Sequence, residues 1–292
     1  MRLVTQTDIL GKAYGDEQAI QILAKNGFDA LDWSFFEMLK DDNVWNQPDW
    51  KDYALKMKET AEAAGIGFSQ AHAPFPTSRG EEPYDTEIME RIIRSMEAAA
   101  IMGVKNIVVH PRQHLPYPQN KQLLFEENVA LYKSLIPYCE KFGIRVCTEN
   151  MWQYDKNRSI IISSVCAEPE EFCALIDAVD SPWIVACLDL GHAALVGHDP
   201  AYMIRMLGKD RLKALHVHDV DHLHDCHTLP FTQSLDWECI MEALAEIGFD
   251  GELTFEADNF IRKLPDELKI EGSAFMAKTG RYLISRFEAN CK

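Results

Sequence analysis

The sequence predicts an α/β protein built as one (β/α)8 barrel, with its active site at the C-terminal ends of the strands. Three observations carry this. Apolar, β-prone segments alternate with amphipathic ones along the chain. Gly27, Gly65, Gly103, Gly143 and Gly248 each close an amphipathic stretch and open an apolar one; the C′ position of a helix, where the backbone turns left-handed, favours glycine. Four successive apolar segments end in residues of metal-binding type, Glu149, Asp189, His216 and Glu256. Strict alternation calls for parallel strands and right-handed crossovers. An open doubly wound sheet would alternate as well. Eight units in 292 residues, with reactive side chains at nearly every strand end, favour closure into a barrel and one domain over 1–292.

In chain order the strands are expected at Arg2–Thr5, Phe28–Asp32, Ile66–Ala71, Lys105–Val109, Ile144–Glu149, Ile184–Asp189, Leu212–His216 and Phe249–Glu256. Helices are expected between them at Glu17–Asn26, Trp50–Ala64, Thr86–Met102, Gln119–Phe142, Glu170–Val179, Ala201–Leu207 and Trp237–Ile247, with Glu267–Phe287 last. Asp49, Asp85 and Asp236 stand at N-cap-like positions, and Pro169 and Pro200 near first turns.

Composition narrows the class. Hydrophobic residues make up 47% and charged residues 26%, which suits a globular protein with an ample core. The net charge of −17, from 46 acidic and 29 basic residues, repels polyphosphate backbones and argues against nucleic acid as a partner. No apolar stretch is long enough to cross a membrane. The eight cysteines include no CxxC pair, and Cys147 and Cys187 fall inside expected strands. Together with an N-terminus that turns polar too early for a signal peptide, this points to a reduced, cytoplasmic protein.

The chemistry concentrates at strand ends. Three carboxylates and one imidazole form an oxygen-rich ligand set for a divalent ion such as manganese, magnesium, cobalt or zinc. A lone Glu or Asp at a strand end is ordinarily a solvated cap or ion-pair partner; four on consecutive strands make one metal-dependent site the better reading. His72, His110, His192, Asp225 and His227 are candidates for a second metal or for substrate contact. His222 and His224 read as loop residues titrating in solvent. Trp33, Phe75 and Trp152 are candidate apolar walls for a substrate, with Phe35 and Phe231 also near strand ends or in top-face loops. Arg112, Lys156 and Arg158 are available to a phosphate, although surface solvation competes for them.

The chain resembles the xylose isomerase-like barrel superfamily, which holds sugar epimerases and isomerases, inosose dehydratases and endonuclease IV enzymes. The resemblance rests on His72-Ala-Pro-Phe75, Val108-Val-His110-Pro111, Thr148-Glu149-Asn150, Leu188-Asp189-Leu-Gly-His192, His216-Val-His-Asp219, Asp225-Cys-His227 and Phe255-Glu256 in this order. It implies that Glu149, Asp189, His216 and Glu256 are shared metal ligands, that Glu149 and Glu256 are an acid/base pair, and that His192 contacts substrate. In the endonuclease IV branch it implies instead that His72, His110, His192, Asp225 and His227 complete a three-zinc cluster. Two departures stand out. The epimerases carry an arginine where this chain has His222, and many members have a Pro-Gly-x-Gly loop where Pro230–Ser234 contains no glycine.

The activity expected on this resemblance is isomerisation or epimerisation of a keto-sugar or its phosphate through a metal-stabilised enediolate. Zinc-cluster hydrolysis of a phosphodiester and dehydration of a sugar or inosose are the alternatives. The partner expected is a small carbohydrate, and homo-oligomerisation stays open.

Overall fold

A computed structural model describes residues 1–291; Lys292, the last residue of the expected domain, lies outside the described residues. Eight strands form the sheet in the order β10-β1-β2-β3-β4-β5-β8-β9, every neighbour parallel. They are β1 (Leu3–Gln6), β2 (Ala30–Ser34), β3 (Phe68–His72), β4 (Asn106–Val108), β5 (Arg145–Glu149), β8 (Ile184–Asp189), β9 (Leu212–His216) and β10 (Leu253–Phe255). The last seam closes just past β9. Val217 N–H donates to the Thr254 carbonyl at 2.9 Å, and Glu256 N–H donates to the Val217 carbonyl at 3.2 Å. The protein is a (β/α)8 TIM barrel.

The main helices are α2 (Asp16–Asn26), α3 (Trp50–Ala63), α4 (Tyr84–Met102), α5 (Tyr117–Phe142), α6 (Pro169–Val179), α8 (Pro200–Arg211), α9 (Trp237–Glu246) and α11 (Asp266–Asn290). Gly27, Gly103 and Gly143 cap α2, α4 and α5 in the left-handed conformation, as their spacing implies. Three short helices were not expected: α1 (Asp8–Tyr14), α7 (Leu190–Leu195) and α10 (Asp258–Arg262), which follow β1, β8 and β10 directly. An antiparallel hairpin, β6 (Trp152–Asp155) with β7 (Ile160–Ser163), was not expected either. Several strand boundaries also move, among them the third strand, which starts at Phe68 rather than Ile66, and the second, which runs on to Ser34 rather than ending at Asp32. Phe28 caps α2, with its N–H on the Leu23 carbonyl, so the second strand starts at Ala30 rather than Phe28. Phe249 does the same for α9 through the Leu244 carbonyl, so the eighth strand starts at Leu253.

The main core lies between barrel and helices. Gly280 lets α11 approach the seam, since a Cβ there would strike Leu3 and sit 2.9 Å from Phe255. The barrel interior is divided in character. Val108, Cys147, Val185, Cys187 and Ala214 form a small apolar plug under one side. On the other side, Thr254 Oγ1 donates to Gln70 Oε1 at 3.2 Å, and Gln70 Nε2 donates to Asp32 Oδ2 at 3.0 Å. Asp32 Oδ1 is buried without a hydrogen-bond partner. Burial is the main cause that lifts the Asp32 carboxyl from 3.8 to about 6.

That shift carries a sign. A carboxyl whose folded pKa is raised contributes no penalty below its unfolded pKa, where both states hold the proton. Its penalty then grows between pH 4 and 6 and persists above. Asp32→Asn should therefore stabilise the metal-free protein at pH 7 by roughly 2–3 kcal/mol, a gain that vanishes toward pH 4. Urea midpoints at the two pH values check this.

Candidate metal centre and active site

Register brings the strand-end ligands together. Asp189 on β8 pairs with His216 on β9, and Glu149 on β5 pairs with Cys187 two residues before Asp189. Donor atoms of Glu149, Asp189, His216 and Glu256 all lie within 4.8 Å of one another. His216 Nδ1 stands 3.1 Å from Glu149 Oε1 and 3.1 Å from Glu256 Oε2. Asp189 and His216 are fully buried, whereas Glu149 and Glu256 line the cleft above them.

Two further groups flank this quartet. Donor atoms of His72, His110 and Glu149 form one, and those of His192, His218, Asp225 and His227 form the other. His72 Nε2 and His110 Nε2 face each other at 2.9 Å, and His110 Nε2 lies 3.0 Å from Glu149 Oε2. On the opposite side His227 Nε2 is 3.2 Å from Asp225 Oδ1, and His192 Nε2 is 3.6 Å from Asp225 Oδ2 and 3.8 Å from Asp189 Oδ2.

Backbone carbonyls set the tautomers. The Nδ1–H groups of His72, His192 and His227 donate to the carbonyls of Ala73, Asn150 and Glu256 at 2.8, 2.9 and 3.0 Å. In the neutral ring each Nε2 is then a bare lone pair turned into the cleft, the arrangement a metal-binding histidine needs. Glu149 Oε2 and Asp225 Oδ1 are buried and accept no aligned hydrogen bond. Lone pairs that converge without donors between them fit a divalent cation.

The titration behaviour says the same. Burial opposes ionisation of Glu149, yet His216 and His110 outweigh it and hold the carboxyl well below its usual range. Burial likewise opposes charge on His192, but Asp189 and Asp225 lift it to about 10. In the metal-free protein, protonated His192, His216 and His227, each shifted upward by its carboxylate neighbours, supply positive charge that the carboxylates demand.

Several positioning residues were not singled out from sequence. Asn150 clamps two strand ends, donating from Nδ2 to the Asp189 carbonyl at 2.9 Å and accepting at Oδ1 from Asp189 N–H at 2.8 Å. Gln6 Nε2 donates to Glu256 Oε1 at 2.7 Å. His218 Nε2 lies 2.9 Å from Asp189 Oδ1, and its ring stacks on His227 with centroids 4.0 Å apart. A side chain at Gly191 would strike the His218 ring. The His-Val-His spacing was the available signal for His218, because residues two apart on a strand face the same way.

The cleft above the ligands has a volume of about 800 Å³, within the usual range for a small-molecule site. His72, Phe75, His110, Glu149, Trp152, His192, Asp225, His227 and Glu256 all line it. Trp33 does not. It lies inside β2, next to the inward-facing Asp32, so strand alternation turns it outward. There it packs in a neighbouring cavity against Trp45 and Tyr53, at centroid distances of 5.6 and 6.5 Å. Phe36 occupies the cleft instead, edge-on to His72 and Phe75. Phe35 is buried against Trp45, and Phe231 packs on Trp237 and Tyr282 away from the cleft. Arg112, Lys156 and Arg158 are likewise absent from its lining, which holds Arg79 and Arg262. His222 and His224 are exposed loop residues, as expected.

The glycine-free loop after β9 closes around one carboxylate. Asp219 accepts from the N–H groups of Gln233 and Leu235 and from Trp237 Nε1, at 3.0, 3.1 and 3.2 Å.

The match to known proteins agrees with this architecture. Residues 20–279 match the family model described as xylose isomerase-like TIM barrel, and the chain belongs to that family. It is 25% identical over 171 residues to the uncharacterized protein y4fM of Sinorhizobium fredii, covering 58% of this chain and 52% of that one. The match thus spans about half the length of that relative. It is 24% identical over 235 residues to an inosose dehydratase of Lacticaseibacillus casei, covering 73% and 75% of the two chains. Among solved structures, a D-tagatose 3-epimerase-like protein superposes with a TM-score of 0.73 at 19% identity, over 99% of this chain and 98% of that one. The IolI protein with a bound zinc atom superposes with a TM-score of 0.73 at 18% identity, over 98% and 99%. At these identities the likeness to solved structures speaks to the fold. Among the described residues no helix is long and apolar enough to cross a membrane.

Asp219→Ala would leave four donors without this acceptor, the N–H groups of Val220, Gln233 and Leu235 and Trp237 Nε1. It should cost about 2–4 kcal/mol in urea unfolding.

Proposed function

We propose that this protein is a divalent-metal-dependent enzyme that moves a carbon-bound proton on a small keto-sugar or cyclic polyol ketone, as an isomerase or epimerase. The observation that carries the reading is the pair Glu149 and Glu256. Both carboxylates flank His216 Nδ1 at 3.1 Å and both open into the cleft, while Asp189 and His216 are sealed beneath. The D-tagatose 3-epimerase-like and zinc-bound IolI structures share the fold; the first is named for an epimerase and the second holds a metal, which accords with this reading.

Glu149, Asp189, His216 and Glu256 would hold the ion, with manganese, magnesium, cobalt and zinc all compatible with mixed oxygen and imidazole donors. The bound ion would supply Lewis-acid stabilisation of negative charge on the substrate oxygens. One glutamate takes the carbon-bound proton, and the other, or the same one, returns it. Return to the opposite face of the same carbon gives an epimer; return to the neighbouring carbon gives an isomer. Glu256, oriented by Gln6, and Glu149, flanked by His110, are held at fixed angles for that transfer. Phe36, Phe75 and Trp152 line the cleft and offer apolar walls to a substrate. Dehydration starts from the same proton removal and ends with loss of a hydroxyl, the activity named for the Lacticaseibacillus casei relative.

A second reading, hydrolysis of a phosphoester at a multinuclear zinc site, is favoured by the two flanking ligand groups. In that reading Glu149, which belongs to both the central quartet and the group with His72 and His110, would be committed to holding metal rather than to proton transfer. Metal content of protein purified without chelator separates the readings. The isomerase expects about one ion per chain, unchanged in His110→Ala. Two or three zinc ions, reduced by that substitution, would move hydrolysis forward. The proton-transfer reading also expects metal-loaded protein to exchange a keto-sugar's carbon-bound hydrogen with solvent deuterium, and Glu256→Gln to slow exchange by about a hundredfold or more. A panel of keto-sugars without exchange would sink it.

A further inference from the structure

The cleft is acidic at its base, and its lining includes two exposed arginines, Arg79 and Arg262. They differ in what neutralises them. Arg262 is ion-paired with Asp258. Arg79 has no carboxylate within ion-pair distance among the described residues, although the protein carries an excess of acid. The nearby acid, Asp85, is engaged elsewhere: its oxygens accept from Arg79 N–H at 2.8 Å and from Ser78 Oγ at 2.7 Å.

The segment carrying Arg79 is also held in place. Thr77 Oγ1 donates to the His110 carbonyl at 2.7 Å, tying the segment to the end of β4 beside the candidate ligands. The guanidinium lies over the Tyr84 ring at 4.1 Å from its centroid, and Tyr84 Oη donates to the Pro76 carbonyl at 2.6 Å. The stack orients the guanidinium and leaves its forked N–H donors without a carboxylate partner, a geometry suited to a planar or tetrahedral oxyanion. A surface arginine with no such support would be more mobile and would cost more entropy to order on a ligand.

We propose that Arg79 is the receptor for an anionic group on the substrate, a phosphate or a carboxylate distant from the reacting carbon, so that the natural substrate is a sugar phosphate or sugar acid rather than a neutral sugar. This rests on the assignment of the cleft as the carbohydrate site. It does not depend on which reaction occurs there.

Calorimetric binding to the metal-loaded protein tests the inference with three probes: fructose, fructose 6-phosphate and 5-ketogluconate. One anionic probe should bind about tenfold or more tightly than fructose, and its identity separates phosphate from carboxylate. The preference should shrink as salt is raised. Arg79→Ala should erase it, read as the ratio of anionic-probe to fructose affinity within the same variant, and Arg79→Lys should restore part of that ratio. An anion preference that survives in Arg79→Ala, or no preference in the wild type, overturns the proposal. Preference without deuterium exchange would remove the isomerase reading and leave the anion receptor standing. Exchange on fructose without preference would do the reverse.

Discussion

The constraint on which the upper half of this molecule depends is the burial of like charge. Glu149, Asp189 and Glu256 converge at the mouth of the barrel, all nearly or fully shielded from water. Carboxylates that cannot be solvated must be protonated, paired or bound to a cation. Here they are surrounded by imidazoles, and the carbonyls of Ala73, Asn150 and Glu256 fix three of those rings through Nδ1, with Nε2 free to carry a proton or hold a metal. The protein thus spends its backbone acceptors on orientation and leaves charge balance to protons or metal ions.

That arrangement explains features that look unrelated along the chain. Asn150 bridges β5 and β8 at the point where their carboxylates must not drift apart. Gly191 leaves room for the His218 ring beside Asp189. Asp219 holds the following loop by four donors, which does without glycine what a glycine-rich turn does by backbone freedom. Each feature serves the rigidity that a preorganised ligand set requires.

The cleft wall carries a second lesson. Trp33 and Phe36 are both aromatic and close in sequence, yet only Phe36 reaches the cleft. The two-residue displacement of the second strand is the reason, since strand alternation sends Asp32 inward and its neighbour outward. The cleft arginines behave similarly. Arg79 is distinguished from other cations by where Asp85 spends its oxygens, a matter of three-dimensional partnership.

By itself the sequence determined the βα alternation, the helix-ending glycines and the ligand types at the strand ends, because periodicity and left-handed caps are local properties. It also made the candidate quartet legible, since strand ends of a parallel barrel meet at one face. Tertiary structure alone decided which donors share a cation. Only folding brings His72 against His110, and Asp225 against both His192 and His227. Tertiary structure likewise decided the extra hairpin at Trp152–Ser163, the short helices after β1, β8 and β10, and the exclusion of Trp33 from the cleft. These elements are short, and their placement is fixed by packing against the barrel mouth rather than by any period in the chain.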